Sequence, residues 1–172
     1  MTSLHSTART GDLIAIQQIL SAPCAISIDV FGDEPVTPLF HAVAGEKSDA
    51  IRLLLAKGAN INIQLPPDLD SQSLLHYAVV RVSDLEIIRI IIDNAPAQVS
   101  ALAINQATPL HYAVQYKRPS DLINLLLRAG ANPLARIDSG QTTIELALAW
   151  GNRSAAEQIR NFQKRGALFA KD

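Results

Sequence analysis

The sequence contains few of the residues that cross-link a protein or anchor it in a membrane. Its 172 residues include one cysteine, Cys24, one tryptophan and only 5% aromatic residues in total. A single cysteine excludes a disulfide framework within the chain. No apolar run approaches the roughly 20 residues of a membrane-spanning helix, and the first residues, MTSLHSTARTGD, lack the apolar stretch of a signal peptide. These absences predict a soluble protein of the cytoplasm, the nucleus or both, without membrane contact.

Charge is also sparse, at 18% of residues and a net charge of −1. The chain as a whole therefore has no electrostatic attraction to nucleic acids or anionic membranes. The distribution is uneven, because residues 1–112 carry 6 basic and 11 acidic residues whereas residues 113–172 carry 9 and 5. Nucleic-acid binding by the basic second part is the weaker alternative, since its residues fall on several predicted faces. These residues are Lys117, Arg118, Arg128, Arg136, Arg153, Arg160, Lys164 and Arg165.

Motifs of catalysis and metal binding are missing as well. The chain has no Gly-rich phosphate loop and no nucleophile elbow. None of its four histidines stands four residues from another, which is the spacing of a helical metal pair. Its acidic residues cluster in predicted loops, where solvent would keep paired carboxylates from the dry environment that separates their pKa values. We therefore predict no enzymatic activity, no metal and no cofactor.

The sequence does contain one short motif five times, a Thr or Ser with Leu or Ile two residues later. It occupies residues 2–5, 37–40, 73–76, 108–111 and 142–145, with starts 35, 36, 35 and 34 residues apart. A period in this range is typical of a solenoid, in which each unit buries its apolar face against its neighbours. Below, positions within a repeat are counted from this Thr or Ser.

The second repeat shows what one unit contains. Thr37 is a typical N-cap, and Pro38 suits the first position of a helix. Ser48 begins a second apolar helix, and Gly58 ends it in the left-handed conformation that glycine tolerates. The residues after Gly58 predict an extended loop, the finger, with alternating apolar Ile61, Ile63 and Leu65.

Other repeats follow the same order with local differences. Residues 83–86 read as a capping box, and Ser120 with Asp121 predict capping of the fourth repeat's second helix. The third repeat lacks the closing glycine, so we predict that Asn94 takes the left-handed role and that the finger over residues 97–107 is irregular. The first and last repeats read as polar caps.

These features resemble the ankyrin repeat, with its Thr-Pro-Leu-His-x-Ala start and Gly-Ala-Asn close. Residues 108–113 (TPLHYA) and 125–132 (LLLRAGAN) are nearly the family consensus, and residues 37–42 (TPLFHA) are close to it. The resemblance covers the chain as one domain, 1–172, and implies an all-α solenoid of helix-turn-helix pairs with short β-like finger loops. It also implies that first helices and fingers line a concave groove, and it makes Asn62 a weak match to a finger asparagine hydroxylated in some members.

The resemblance assigns a structural role to the histidine at position 4, which is His5, His76 and His111 in three of the repeats. His41, one place later, is the histidine that we predict to face the groove with another role.

Positions 5 and 9 lie four residues apart and therefore share one face of each first helix. These positions include every tyrosine and the tryptophan of the chain, types that dominate binding hot spots. The predicted groove residues are Tyr77, Arg81, Tyr112, Tyr116, Trp150 and His41. Alternatively, Tyr77 and Tyr112 are core residues with solvated tips, and Trp150 seals the last repeat.

Finger residues before each motif would complete this surface. They are Asp33 and Glu34, Leu69 and Asp70, Ile104 and Asn105, and Asp138 with Ser139. The prediction is a monomeric, non-enzymatic adaptor or inhibitor that binds a protein or peptide with basic and apolar residues. The alternative is a groove for a small molecule, or an atypical active site, centred on His41 and the aromatic residues.

Overall fold

The computed structural model describes residues 3–22, 26–31, 36–63 and 73–169, and these form ten α-helices. The helices are α1 Leu4–Thr10, α2 Leu13–Leu20, α3 Pro38–Ala44, α4 Ser48–Ala56, α5 Leu74–Arg81, α6 Leu85–Asn94, α7 Pro109–Gln115, α8 Ser120–Arg128, α9 Thr143–Ala149 and α10 Arg153–Phe169. A 3-10 helix, Pro96–Ser100, follows α6.

The helices form two layers with one continuous core between them. The odd-numbered inner helices pack in succession from α1 to α9, and each also packs against the even-numbered outer helix that follows it. Position 6 of the inner helices is an alanine with no exposed surface in the second to fifth repeats, which lets neighbouring helices approach closely. These residues are Ala42, Ala78, Ala113 and Ala147. The all-α solenoid predicted from the period is confirmed.

The local signals of the second repeat are confirmed by its geometry. Thr37 precedes α3 in extended backbone and its hydroxyl accepts a hydrogen bond from the Phe40 amide at 3.4 Å. Pro38 is the first residue of α3, and α4 begins at Ser48. Gly58 lies at φ +91°, where a side chain would be strained.

Two capping predictions are wrong. Asp84 caps α6, since its carboxylate accepts from the Glu86 amide at 2.9 Å, while the Ser83 amide donates to Glu46 of the preceding repeat at 3.2 Å. Helix α8 begins directly after Pro119, and no side chain caps it. Proline fixes its own φ near the helical value, so it starts the helix without a capping oxygen.

The predicted left-handed role of Asn94 is also wrong. Asn94 is the last residue of α6 and its side-chain amide donates to the Ile90 carbonyl oxygen at 2.8 Å. Ala95 ends the helix at φ −145°. The finger that follows is irregular as predicted, because it begins with the 3-10 helix.

Fingers end in tight turns rather than in strands. Gln106 (φ +59°) and Gly140 (φ +81°) hold equivalent left-handed positions in consecutive fingers, and the Asp138 amide donates to the Asn105 carbonyl oxygen at 3.1 Å. The β-like character expected for the fingers is limited, within the described residues, to one bridge between Arg136 and Thr142. Ile61 lies in a turn and not in the predicted extended segment, of which Leu65 lies outside the described residues.

Gly45 marks a close approach between the first two repeats. A Cβ atom there would lie 2.2 Å from the Arg9 carbonyl oxygen, which belongs to the backbone and cannot swing away. We expect Gly45→Ala to lower the free energy of unfolding by about 2 kcal/mol, because overpacking forces the first two repeats apart. Urea unfolding followed by circular dichroism measures it. An unchanged urea midpoint would show that α1 shifts without loss.

Candidate partner-binding surface

Aromatic and imidazole rings form contacts from one repeat to the next. The ring at position 4 of one repeat packs against the ring at position 5 of the following repeat. The centroid distances are 5.3 Å for His5 and His41, 4.4 Å for Phe40 and Tyr77, and 5.2 Å for His76 and Tyr112. Position 5 therefore faces backward to the preceding repeat, and the aromatic side chains found there join the stack.

This stacking decides between the two interpretations of position 5. Tyr112 is 8% exposed and lies in the core, and Tyr77 is half-buried and packs against it. The placement of Tyr112 on the groove surface is thus corrected in favour of the core alternative. His41 is half-buried with its ring edge-on to that of His5. His41 therefore contributes to the packing between the first two repeats.

The histidines at position 4 hold the start of the third and fourth repeats, as the resemblance implies. The His76 Nδ1 atom accepts from the Ser73 amide at 3.3 Å, and Nε2 donates to the Ala107 carbonyl oxygen at 3.0 Å. His111 makes the equivalent bonds to Thr108 and Ala135. Burial lowers the pKa of His76 to about 4 and also lowers the pKa of His111. Both side chains are neutral at neutral pH.

Position 9 supplies the exposed part of the predicted surface. Arg81 is the last residue of α5, whereas Tyr116 and Trp150 directly follow α7 and α9. Arg81 is exposed, and about half of Tyr116 (52%) and Trp150 (51%) is accessible. The Tyr116 ring stacks on buried Tyr112 at 6.0 Å with an interplanar angle of 23°. The core tyrosine therefore supports the exposed one.

The finger residues are only partly described. Asp33, Glu34, Leu69 and Asp70 lie outside the described residues. Ile104, Asn105 and Asp138 are exposed on two consecutive fingertips, which the bond between the Asp138 amide and the Asn105 carbonyl oxygen joins. The structure thus brings these three together at the end of the inner helices that is opposite to position 9.

The sequence pattern indicates Lys117 and Arg153 only as basic residues of the second part of the chain, and not as part of the predicted groove surface. Both are exposed: Lys117 directly follows Tyr116 in the turn after α7, and Arg153 is the first residue of α10, three residues after Trp150. The signal that could have found them is their place at or near position 10, which the repeats fill with Gly, Glu, Val or Lys.

Metal binding finds no support in the described part of the chain, where no three His, Cys, Asp or Glu side chains are arranged to hold an ion. Each helix that the structure describes is too short or too polar to cross a bilayer.

Comparison with known proteins gives one family. The family model of ankyrin repeats (3 copies) matches residues 4–101 and 63–137. The putative palmitoyltransferase ZDHHC13 of Danio rerio is 31% identical over 147 residues, which is 85% of this chain and 22% of that protein. Human SH3 and multiple ankyrin repeat domains protein 2 is 28% identical over 165 residues, 95% of this chain and 8% of that protein. The putative ankyrin repeat protein FPV223 of fowlpox virus is 30% identical over 120 residues, 66% of this chain and 80% of that protein.

Proposed function

This chain belongs to the ankyrin repeat family, and we propose that it is a non-enzymatic adaptor or inhibitor that binds a partner protein across its inner helices and fingers. Ankyrin repeats are generally protein–protein interaction modules. The chain spans about a fifth or less of the zebrafish and human relatives. The activity named for the zebrafish protein is therefore an attribute of that protein.

The observation that carries the proposal is the exposure at position 9. Two large aromatic side chains stand half-exposed in consecutive repeats beside an exposed arginine. Tyr, Trp and Arg are the residue types most enriched in binding hot spots. Because Tyr116 rests on the buried ring of Tyr112, it loses little side-chain entropy when a partner covers it.

The fingertips form the other edge of the proposed surface. Exposed Ile104 and Asn105 adjoin Asp138. From the sequence we propose that Asp33, Glu34, Leu69 and Asp70 belong to the same edge. We propose that basic and apolar residues of the partner face this edge. Charge complementarity of this kind mainly raises the association rate and makes it sensitive to salt.

Truncation of the two exposed aromatic side chains tests the proposal. We expect Tyr116→Ala/Trp150→Ala to weaken partner binding at least tenfold, which is about 1.4 kcal/mol. The partner is first captured from a lysate of the source organism with wild-type protein, and its affinity for each variant is then measured by calorimetry.

Ile14→Ala is the matched control, because Ile14 is 70% exposed on outer helix α2. It should bind like wild type. Equal affinities of the wild type and the folded double variant would refute the proposal and leave Trp150 as a seal of the last repeat.

A further inference from the structure

The turns between inner and outer helices carry mainly positive charge in the third to fifth repeats. We name residues 81–84, 115–119 and 149–153 the turn ridge. These three segments contain four basic residues, Arg81, Lys117, Arg118 and Arg153, and one acidic residue, Asp84, whose carboxylate caps α6. The exposed aromatic side chains of Tyr116 and Trp150 lie in the same turns. The ridge is thus cationic and aromatic, although the whole chain has a net charge of −1.

Lys117 occupies a backbone conformation that favours glycine. It lies at φ +50°, and the equivalent position 10 is Gly11 (φ +81°) in the first repeat and Gly151 (φ +71°) in the fifth. A non-glycine residue in this region costs on the order of 1 kcal/mol. Lys117 is therefore expected to make the fourth repeat less stable than glycine at the same position would.

The second repeat shows how such strain is offset when the side chain has a structural role. Glu46 (φ +52°) holds position 10 there, and its carboxylate accepts hydrogen bonds from the amides of Ser83 and Asp84 at 3.2 and 3.3 Å. For Lys117, by contrast, no side-chain hydrogen bond or ion pair joins it to any described residue. Its ammonium group is exposed to solvent.

Attraction to the helix dipole does not account for Lys117 either. Cations do stabilise helix C-termini, but the adjacent Arg118 already supplies one behind α7. The Arg118 guanidinium donates to the Val82 carbonyl oxygen of the preceding turn. The charge that remains for an external ligand is that of Arg81, Lys117 and Arg153.

Building on the proposed function, we propose that the turn ridge binds an acidic segment of the partner protein and that Lys117 makes an ion pair with this segment. Tyr116 and Trp150 would cover apolar side chains of the same segment, where cations and aromatic faces act side by side.

The turn ridge and the finger edge together determine how a bound partner is oriented relative to the inner helices. Fingers precede the inner helices and the turn ridge follows them, so a seven-residue helix separates the two edges by about 10 Å. The finger edge includes Asp138, whereas the described ridge is cationic. A matching partner presents basic residues toward the fingers and acidic residues toward the turns.

The inference is tested by Lys117→Gly, which is expected to raise the stability of the protein and to weaken its binding of acidic peptides. Two pools of 12-residue peptides serve as probes, one with Glu and one with Lys, each interspersed with Leu and Phe. We expect the Glu pool to bind the wild type more tightly in fluorescence anisotropy. Lys117→Gly should weaken this binding about threefold, as expected for one exposed ion pair, while raising the urea midpoint by about 0.3 M.

Arg128→Ala is the control, because it removes one positive charge from the outer helix of the same repeat and should leave binding unchanged. The inference fails if Lys117→Gly stabilises the protein without weakening its binding to the Glu pool. It also fails if an oligouridine 15-mer binds the wild type more tightly than the Glu pool does. A preference for the Lys pool also contradicts the inference. The proposed function would still stand if Tyr116→Ala/Trp150→Ala abolished the binding of the Lys pool. If the wild type binds neither pool, the result counts against both proposals.

Discussion

Replacing Gln98 with alanine is expected to lower the free energy of unfolding by about 3 kcal/mol. Gln98 is 5% exposed and its side-chain amide joins three segments of the fold. Its Oε1 atom accepts from the Leu75 amide at 3.0 Å, and its Nε2 atom donates to the Ile61 carbonyl oxygen at 2.6 Å. Alanine would leave both backbone groups buried without partners, and each such group costs about 1–3 kcal/mol.

Urea unfolding of matched variants separates the hydrogen bonds from the packing. Gln98→Met keeps most of the side-chain volume but neither bond, so it should lose nearly as much stability as Gln98→Ala. Gln106→Ala removes an exposed glutamine and should change the free energy of unfolding by less than about 0.5 kcal/mol. Recovery of wild-type stability in Gln98→Met would mean that the cavity, and not the amide, determines the loss.

Gln98 also shows where prediction from the sequence ends. Its partners are 23 to 37 residues away, and it lies in the finger that departs from the period. The sequence predicts the irregularity there but not which side chain replaces the missing backbone contacts. By contrast, the roles of Thr37, Pro38 and Gly58 depend on a few neighbouring residues, and the structure confirms them.

The candidate surface was predictable only where it depends on residues close in the sequence. Four-residue spacing identifies the shared helix face, and Tyr116 and Trp150 are exposed there. Whether position 5 is surface or core depends on the inner helix of the preceding repeat, which the pattern does not orient, so the sequence does not decide between the two positions for Tyr112. The left-handed backbone of Lys117 could not be predicted because the sequence there contains no glycine.

Lowering the pH from 7.5 to 4.5 is expected to reduce the free energy of unfolding by about 2.5 kcal/mol through His76 alone. Burial of the His76 ring removes it from solvent and lowers its pKa to about 4, below the value of 6.5 in the unfolded chain. The unfolded state therefore binds the proton first, and stability falls as the pH drops from about 6.5 toward 4. The lowered pKa of His111 acts in the same direction.

The measurement is urea unfolding at a series of pH values, together with an NMR titration of the His76 ring in the folded protein. His76→Gln removes the titrating group, so its stability should depend less on pH in this window even if the variant is less stable throughout. If that variant does not fold, the NMR titration alone decides. A folded-state pKa near 6.5 for His76 would show that the ring takes up a proton at Nδ1 in the folded protein, although it then loses the hydrogen bond from the Ser73 amide, and that acid unfolding begins elsewhere.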